Sequence, residues 1–347
     1  MKKVNIPIFV PHKGCPFECV FCNQKAITGV RDELDKNEII KLIETNLSSI
    51  DRATTYIEIA FFGGTFTGIP LRKQIEYLEI GNSYIESGRI DGIRISTRPD
   101  YINEKILMVL KKYGVTTIEL GVQSLDKNVL IKSKRGHTIG DVIRASNLIK
   151  YYKFELGLQM MIGLPGDNYN LSYKTAQEII RLKPDSVRIY PTLVFKYTEL
   201  CKMYENDQYK ALSLEDAIEH TSDLLQLFYS NNVNVIRVGI QPTDELLNGS
   251  DVIAGPFHPA FKYLVEARMF RNAIEGKINA VDNEVTVIVN RKDSANLVGH
   301  LKENTRYFTK VFPSTEFKFL ESDKVERYKF NLIIDNKINS YTIFDMR

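Results

Sequence analysis

A chain of 347 residues, 44% hydrophobic and 26% charged, has the composition of a globular protein and exceeds the usual size of one domain, so a large domain followed by a smaller one is expected. A net charge of +3 makes no strong electrostatic case for a nucleic-acid partner by itself. No apolar run reaches membrane-spanning length, and Met1-Lys2-Lys3-Val4-Asn5 leads into a strand with a proline instead of a signal-peptide core; the expectation is a cytoplasmic protein with no membrane partner.

The first apolar run, Ile6-Pro7-Ile8-Phe9-Val10, opens onto Cys15-Pro16-Phe17-Glu18-Cys19-Val20-Phe21-Cys22, which holds three of the four cysteines. Three thiolates on one loop can converge on a single iron–sulfur cluster, whereas three thiols cannot all pair as disulfides. A cluster held by three protein thiolates leaves one iron open to another ligand. Structural zinc and chance clustering are the competing explanations. Zinc asks for a fourth ligand, usually from a second pair; Cys201 is isolated and His12 precedes the loop. Thiols kept reduced to hold iron also suit the cytoplasm.

Asp35 to Ile50 spaces its apolar residues with helical periodicity. The strand, loop and helix then recur. Tyr56 to Phe62 ends in Gly63-Gly64-Thr65 and precedes a helix over Leu71 to Ser87. Gly92 to Ser96 precedes a helix over Asn103 to Tyr113, and Thr117 to Gly121 precedes helices at Lys127 to Lys132 and Ile139 to Tyr152. Glu155 to Met161 precedes Gly163-Leu164-Pro165-Gly166 and a helix over Asn170 to Leu182, and Ser186 to Tyr190 ends in Pro191-Thr192. Six strands alternating with helices predict an α/β fold with a parallel sheet, closed or partly closed as a (β/α)6 barrel, with an open doubly wound sheet as the competitor. In such folds chemistry sits at the carboxyl ends of the strands, where every unusual local sequence falls.

Beyond the polar segment Asp207 to Ser213 and a helix over Leu214 to Tyr229 the alternation loosens. A barrel domain over 1–231 and a smaller α/β domain over 232–347 are expected. The second carries a strand at Asn234 to Gly239, a helix over Ala260 to Glu275, strands at Glu284 to Asn290, Phe317 to Leu320 and Tyr328 to Asp335, and one helix over Ser294 to Val311. Gly255-Pro256-Phe257-His258-Pro259 suits either a rigid lid or a plain strand end.

The strand ends offer candidate contacts, each with a structural alternative. Gly63-Gly64-Thr65 gives bare backbone for close approach to a ligand, or a turn. Gln123 ends the fourth strand, where a buried amide satisfies backbone groups or a ligand. Arg135 could grip a carboxylate with two parallel hydrogen bonds, or be a solvated loop charge. Met161 and Phe21 could face a ligand or fill core.

The cysteine spacing, with an aromatic before the last cysteine, resembles the signature of radical S-adenosylmethionine (SAM) enzymes. That resemblance implies a 4Fe–4S cluster on Cys15, Cys19 and Cys22, whose open iron chelates SAM. It implies that Gly63, Gly64 and Thr65 meet the amino group, that Gln123 and Gln159 lie by the ribose, that Arg135 meets the carboxylate, and that Phe21, Met161 and Gly163 line the adenine. Ser96-Thr97-Arg98-Pro99-Asp100, Glu119-Leu120-Gly121-Val122-Gln123-Ser124, Met161-Ile162-Gly163-Leu164-Pro165-Gly166 and Tyr190-Pro191-Thr192-Leu193-Val194 with Thr198-Glu199-Leu200 look like the radical SAM core of the Elongator catalytic subunit family, which modifies the wobble uridine of tRNA. The resemblance implies an electron donor such as flavodoxin or ferredoxin, and tRNA as a candidate substrate.

Three departures accompany it. The Elongator-type cysteine loop has a longer first gap, whereas the compact spacing here resembles oxygen-independent coproporphyrinogen oxidases. Ser96 stands where both groups commonly carry glutamate, and Gln159 where the oxidases carry aspartate. Nothing after residue 232 resembles an acetyltransferase; that part looks like an accessory domain of bacterial radical SAM proteins. The alternatives are a porphyrinogen-oxidase-like radical SAM enzyme and a non-catalytic carrier or regulator binding a cluster, haem or RNA.

Overall fold

The computed structural model describes residues 2–10, 18–22, 34–242, 244–247, 251–279 and 284–344. The chain divides into two compact units, residues 1–211 with 240–255, and residues 212–239 with 256–347. Residues 212–231, which the sequence pattern groups with the barrel, belong to the second unit.

The first unit is built on six strands: β1 (Lys2–Val10), β2 (Thr55–Gly63), β3 (Gly92–Thr97), β4 (Val115–Gln123), β5 (Glu155–Ile162) and β6 (Ser186–Pro191). Each pairs in parallel with the next, so the order in the sheet is the order in the chain. A doubly wound sheet would reverse its order at a switch point; these six strands do not. Between them run α1 (Lys36–Leu47), α2 (Leu71–Glu86), α3 (Glu104–Lys112), α4 (Lys127–Lys132), α5 (Ile139–Tyr151) and α6 (Tyr169–Arg181). The helices start where side chains satisfy their free N–H groups: Asp35 and Thr138 form capping boxes, and Asn103 and Asn168 accept from the third helical residue. Their buried stripes, such as Ile39 and Ile43, Leu107 and Leu110, and Val142 and Ile149, belong to the apolar core of the unit.

The inner face of the sheet is polar and strongly curved. Adjacent strands lie about 4.8 Å apart, so in a flat sheet β2 and β6 would be separated by about 19 Å. Here the Arg188 guanidinium of β6 lies 5.3 Å from the centre of the Phe62 ring of β2, and Lys3 of β1 reaches Glu155 of β5 at 3.1 Å. The sheet therefore curls into a half-barrel, as the alternation predicts. After β6 come β7 (Val194–Phe195) and α7 (Glu199–Glu205), and β7 pairs antiparallel with β8 (Val252–Ala254).

In the second unit a four-stranded sheet has the order Glu316–Glu321, Glu284–Val289, Lys329–Ile334, Lys337–Thr342. The first pair is parallel and the others antiparallel. Helix Phe261–Glu275 is tied to helix Leu214–Ser230 by Arg268, which bonds both Glu215 and Glu219. The single helix expected over Ser294 to Val311 is two, Ser294–Val298 and Glu303–Val311. Gly299, Leu301 and Lys302 all take positive φ between them, and that left-handed backbone ends one helix before the next begins. Among the described residues no helix is long and apolar enough to cross a membrane.

Candidate cofactor site

Of the cluster candidates, Cys15 lies outside the described residues; Cys19 is buried and Cys22 half-buried. The Cys22 N–H donates to the Cys19 carbonyl at 2.9 Å, so the two cysteines share one tight turn. Val20 pins that turn on both sides. Its N–H donates to Ser133 O at 3.2 Å, and its carbonyl accepts from Leu200 N at 2.8 Å. The Val20 side chain joins Val194, Leu200 and Cys201 in an apolar cluster against which Phe21 packs. Cys201 is a packing residue there. Its thiol lies 3.5 Å from Glu205 Oε1, and burial, followed by that carboxylate, pushes its pKa up.

Arg135 enters the site from the turn after α4. It is 8% exposed; Nη2 donates to Gly121 O at 2.7 Å and Nη1 to Cys19 Sγ at 3.4 Å. The solvated alternative is thereby excluded, and the sulfur contact is one that its sequence does not announce. Nε is buried without a partner.

Gln123 ends β4 with φ +68°, after an irregularity in the β4–β5 register between Gly121 and Gln123. Left-handed backbone is uncommon for a residue with a side chain and clusters at functional sites. Its Oε1 is buried without a partner. A buried carbonyl oxygen of this kind calls for a donor.

Gly63 has φ +106°, and a Cβ there would lie 2.5 Å from the Val10 carbonyl oxygen. That oxygen accepts from Gly64 N at 3.2 Å. Thr65 is 2% exposed. Gly163 has φ +75°; its N–H donates to Asp167 at 2.9 Å and its carbonyl accepts from Tyr209 OH at 2.6 Å. Met161 is half-buried beside it on β5. Gln159 donates from Nε2 to Glu119 Oε2 at 3.2 Å, so its amide is anchored to the inner polar layer. His258 accepts from Ala260 N at 3.1 Å through Nδ1 and so closes the turn before helix Phe261–Glu275.

Sequence patterns missed that inner layer. Arg94 is held between Glu58 at 2.7 Å and Glu119 at 2.7 Å, and Arg188 bonds Glu119 through two nitrogens at 2.7 and 2.9 Å. Burial alone would raise the Glu119 pKa, but Arg188 and then Arg94 outweigh it and hold it below its ordinary value. The readable signal is a single charge at Arg94, Glu119 and Arg188 inside strands that are otherwise apolar or β-branched. His137 was also missed. It is 4% exposed, and burial, with the charges of Arg135 and Arg98, brings its pKa down to about 3.

Residues 9–178 match the model of the Radical SAM superfamily and residues 184–271 that of the Radical_SAM C-terminal domain. The chain belongs to the radical SAM superfamily. Within it, the chain is homologous to the radical SAM core of Elongator-type proteins. It is 34% identical over 193 residues to tRNA uridine(34) acetyltransferase of Methanocaldococcus jannaschii, covering 50% of this chain and 36% of that protein. It is 28% identical over 201 residues to Elongator complex protein 3 of Homo sapiens, covering 52% and 37%. An uncharacterized protein of M. jannaschii is 30% identical over 223 residues, covering 63% and 65%. The chain thus spans little more than a third of the length of the named relatives. The solved Methanocaldococcus infernus Elp3 shares the fold, with a TM-score of 0.61 at 24% identity over 78% of this chain and 63% of that one.

Proposed function

We propose that the chain is an enzyme that holds a 4Fe–4S cluster on Cys15, Cys19 and Cys22 and SAM across the carboxyl ends of β2, β4 and β5, and that it abstracts hydrogen from a tRNA nucleoside. Bound there, cluster and SAM supply one-electron cleavage of a carbon–sulfur bond and a 5′-deoxyadenosyl radical. The chain supplies position and charge. Gln123 carries the reading: a strained residue with an unpartnered buried oxygen stands at a strand end, near the guanidinium that bonds Cys19. A ribose hydroxyl is the donor that oxygen lacks. Arg135 keeps its unpartnered Nε for the SAM carboxylate while Nη1 serves the cysteine. The backbone of Gly63 and Gly64, with Thr65, borders the methionine end, and Phe21, Met161 and Gly163 border the adenine. Gln159, tied to Glu119, is left its Oε1 for the ribose. A carrier has no use for such a pocket. Flavodoxin or ferredoxin is the proposed source of the electron.

The tRNA substrate is supported by homology to a protein named for uridine 34 of tRNA. Anaerobic reconstitution with iron and sulfide, followed by assay of 5′-deoxyadenosine with and without tRNA, tests both parts. No 5′-deoxyadenosine under either condition overturns the chemistry. Formation indifferent to tRNA, with unchanged tRNA nucleosides by mass spectrometry in cells lacking the protein, overturns the substrate.

A further inference from the structure

Tyr197 is 93% exposed on a backbone with φ +62°, a conformation that bulky L residues avoid. The turn that carries it is firmly anchored. Lys196 N–H donates to Asp251 O at 2.8 Å. The Thr198 hydroxyl donates to Phe195 O at 2.7 Å and accepts from Cys201 N at 3.1 Å, capping α7. Phe195 and Leu200 on either side are 2% and 0% exposed. An aromatic ring is thus presented to solvent from a strained backbone that glycine would adopt freely. The ring itself contributes little burial in return.

Its place gives that arrangement a use. Leu200, three residues on, bonds the Val20 carbonyl, and Ser133 bonds the Val20 N–H. The cysteine turn is therefore flanked on one side by Lys196-Tyr197 and on the other by Lys132 and Lys134, both exposed. Lys134 pairs with Glu199 at 2.7 Å, which joins the two flanks, and Lys132 lies over Gly166 of the β5 loop. An exposed aromatic face at the rim of a site, with Lys132 nearby and Lys134 already paired with Glu199, suits single-stranded nucleic acid, the ring stacking on a base and Lys132 adding positive charge toward the phosphates.

We propose that Tyr197 is a stacking platform for a base of the RNA substrate next to the nucleotide that enters the site; this rests on the tRNA reading above. The chain has no tryptophan, so Tyr197→Trp in the reconstituted protein places a single emitting indole on the platform. Addition of tRNA is expected to quench that emission, and Tyr197→Ala to weaken tRNA binding about tenfold. Tyr197→Phe should bind as wild type, and tRNA-independent SAM cleavage should be unchanged in all three. Tyr197→Gly should melt at a higher temperature than wild type while losing the same affinity as Tyr197→Ala. If wild type binds tRNA but Tyr197→Ala binds equally and the Tyr197→Trp emission does not respond, the platform is wrong and the substrate stands. If wild type binds tRNA no better than an unrelated polyanion, both fall.

Discussion

The guanidinium of Arg135 joins the sulfur of Cys19, 3.4 Å from Nη1, to the carbonyl of Gly121, 2.7 Å from Nη2. A buried positive charge bonded to a ligand sulfur favours the more negative, reduced state of a cluster. Arg135→Gln in the reconstituted protein should lower the reduction potential by about 60 mV, one tenfold step for a one-electron couple. Arg135→Lys should fall between. Potentiometric titration followed by electron paramagnetic resonance reads it, and an unchanged potential would show that the contact does not reach the metal.

Cys201 shares the apolar cluster behind the cysteine turn, where burial and then the Glu205 carboxylate disfavour its thiolate, the form that binds iron. Replacing Cys15, Cys19 or Cys22 by alanine should abolish iron uptake. Cys201→Ala should retain it and cost about 1 kcal/mol of stability through lost packing. Iron analysis after anaerobic reconstitution separates the cases; loss of iron from Cys201→Ala alone would reverse the assignment.

Arg94 sits between two carboxylates in the barrel interior. Arg94→Met leaves both without it and should cost about 3–5 kcal/mol. Lys3→Met removes a pair whose side chains are 52% and 41% exposed and should cost under about 1 kcal/mol. Urea midpoints of the two variants should differ accordingly; equal midpoints would mean that the inner layer carries no more than a surface pair.

Burial of His137 gives stability a pH dependence whose sign follows from its lowered pKa. Its folded pKa, about 3, lies below the unfolded value of about 6.5, so the unfolded chain takes the proton first. Its contribution is complete above about pH 6.5 and is lost as pH falls toward 3. Between pH 7 and pH 5 the loss should be about 2 kcal/mol. Urea denaturation at the two values should show it, and His137→Phe should flatten the profile. A wild-type midpoint that does not move would refute neutral burial.

The six strands and the unusual residues at their ends were legible because the strands are short, largely apolar runs, most of them followed closely by glycine or proline; the alternation alone also allows a doubly wound sheet, and the unbroken strand order comes from the structure. Gly63 was legible only as a glycine. That its φ and the Val10 carbonyl forbid a side chain is a matter of strand pairing, which sequence does not display. The left-handed Gln123 arises from an irregular register between two strands distant in the chain, and the Glu58-Arg94-Glu119-Arg188 layer requires sheet curvature to assemble. The hairpin strand Lys337–Thr342 could have been found: Asp335-Asn336, both at positive φ, is a two-residue turn composition that joins antiparallel strands.

Two carboxylates and two guanidiniums, Glu58 with Arg94 and Glu119 with Arg188, sum to no net charge, and both guanidiniums are already engaged. Among the described residues, an anion reaching the depth of this layer would find both of its guanidiniums already paired and would lose its hydration. On the proposed reading, this layer favours an uncharged heterocycle over a phosphate at that depth of the half-barrel.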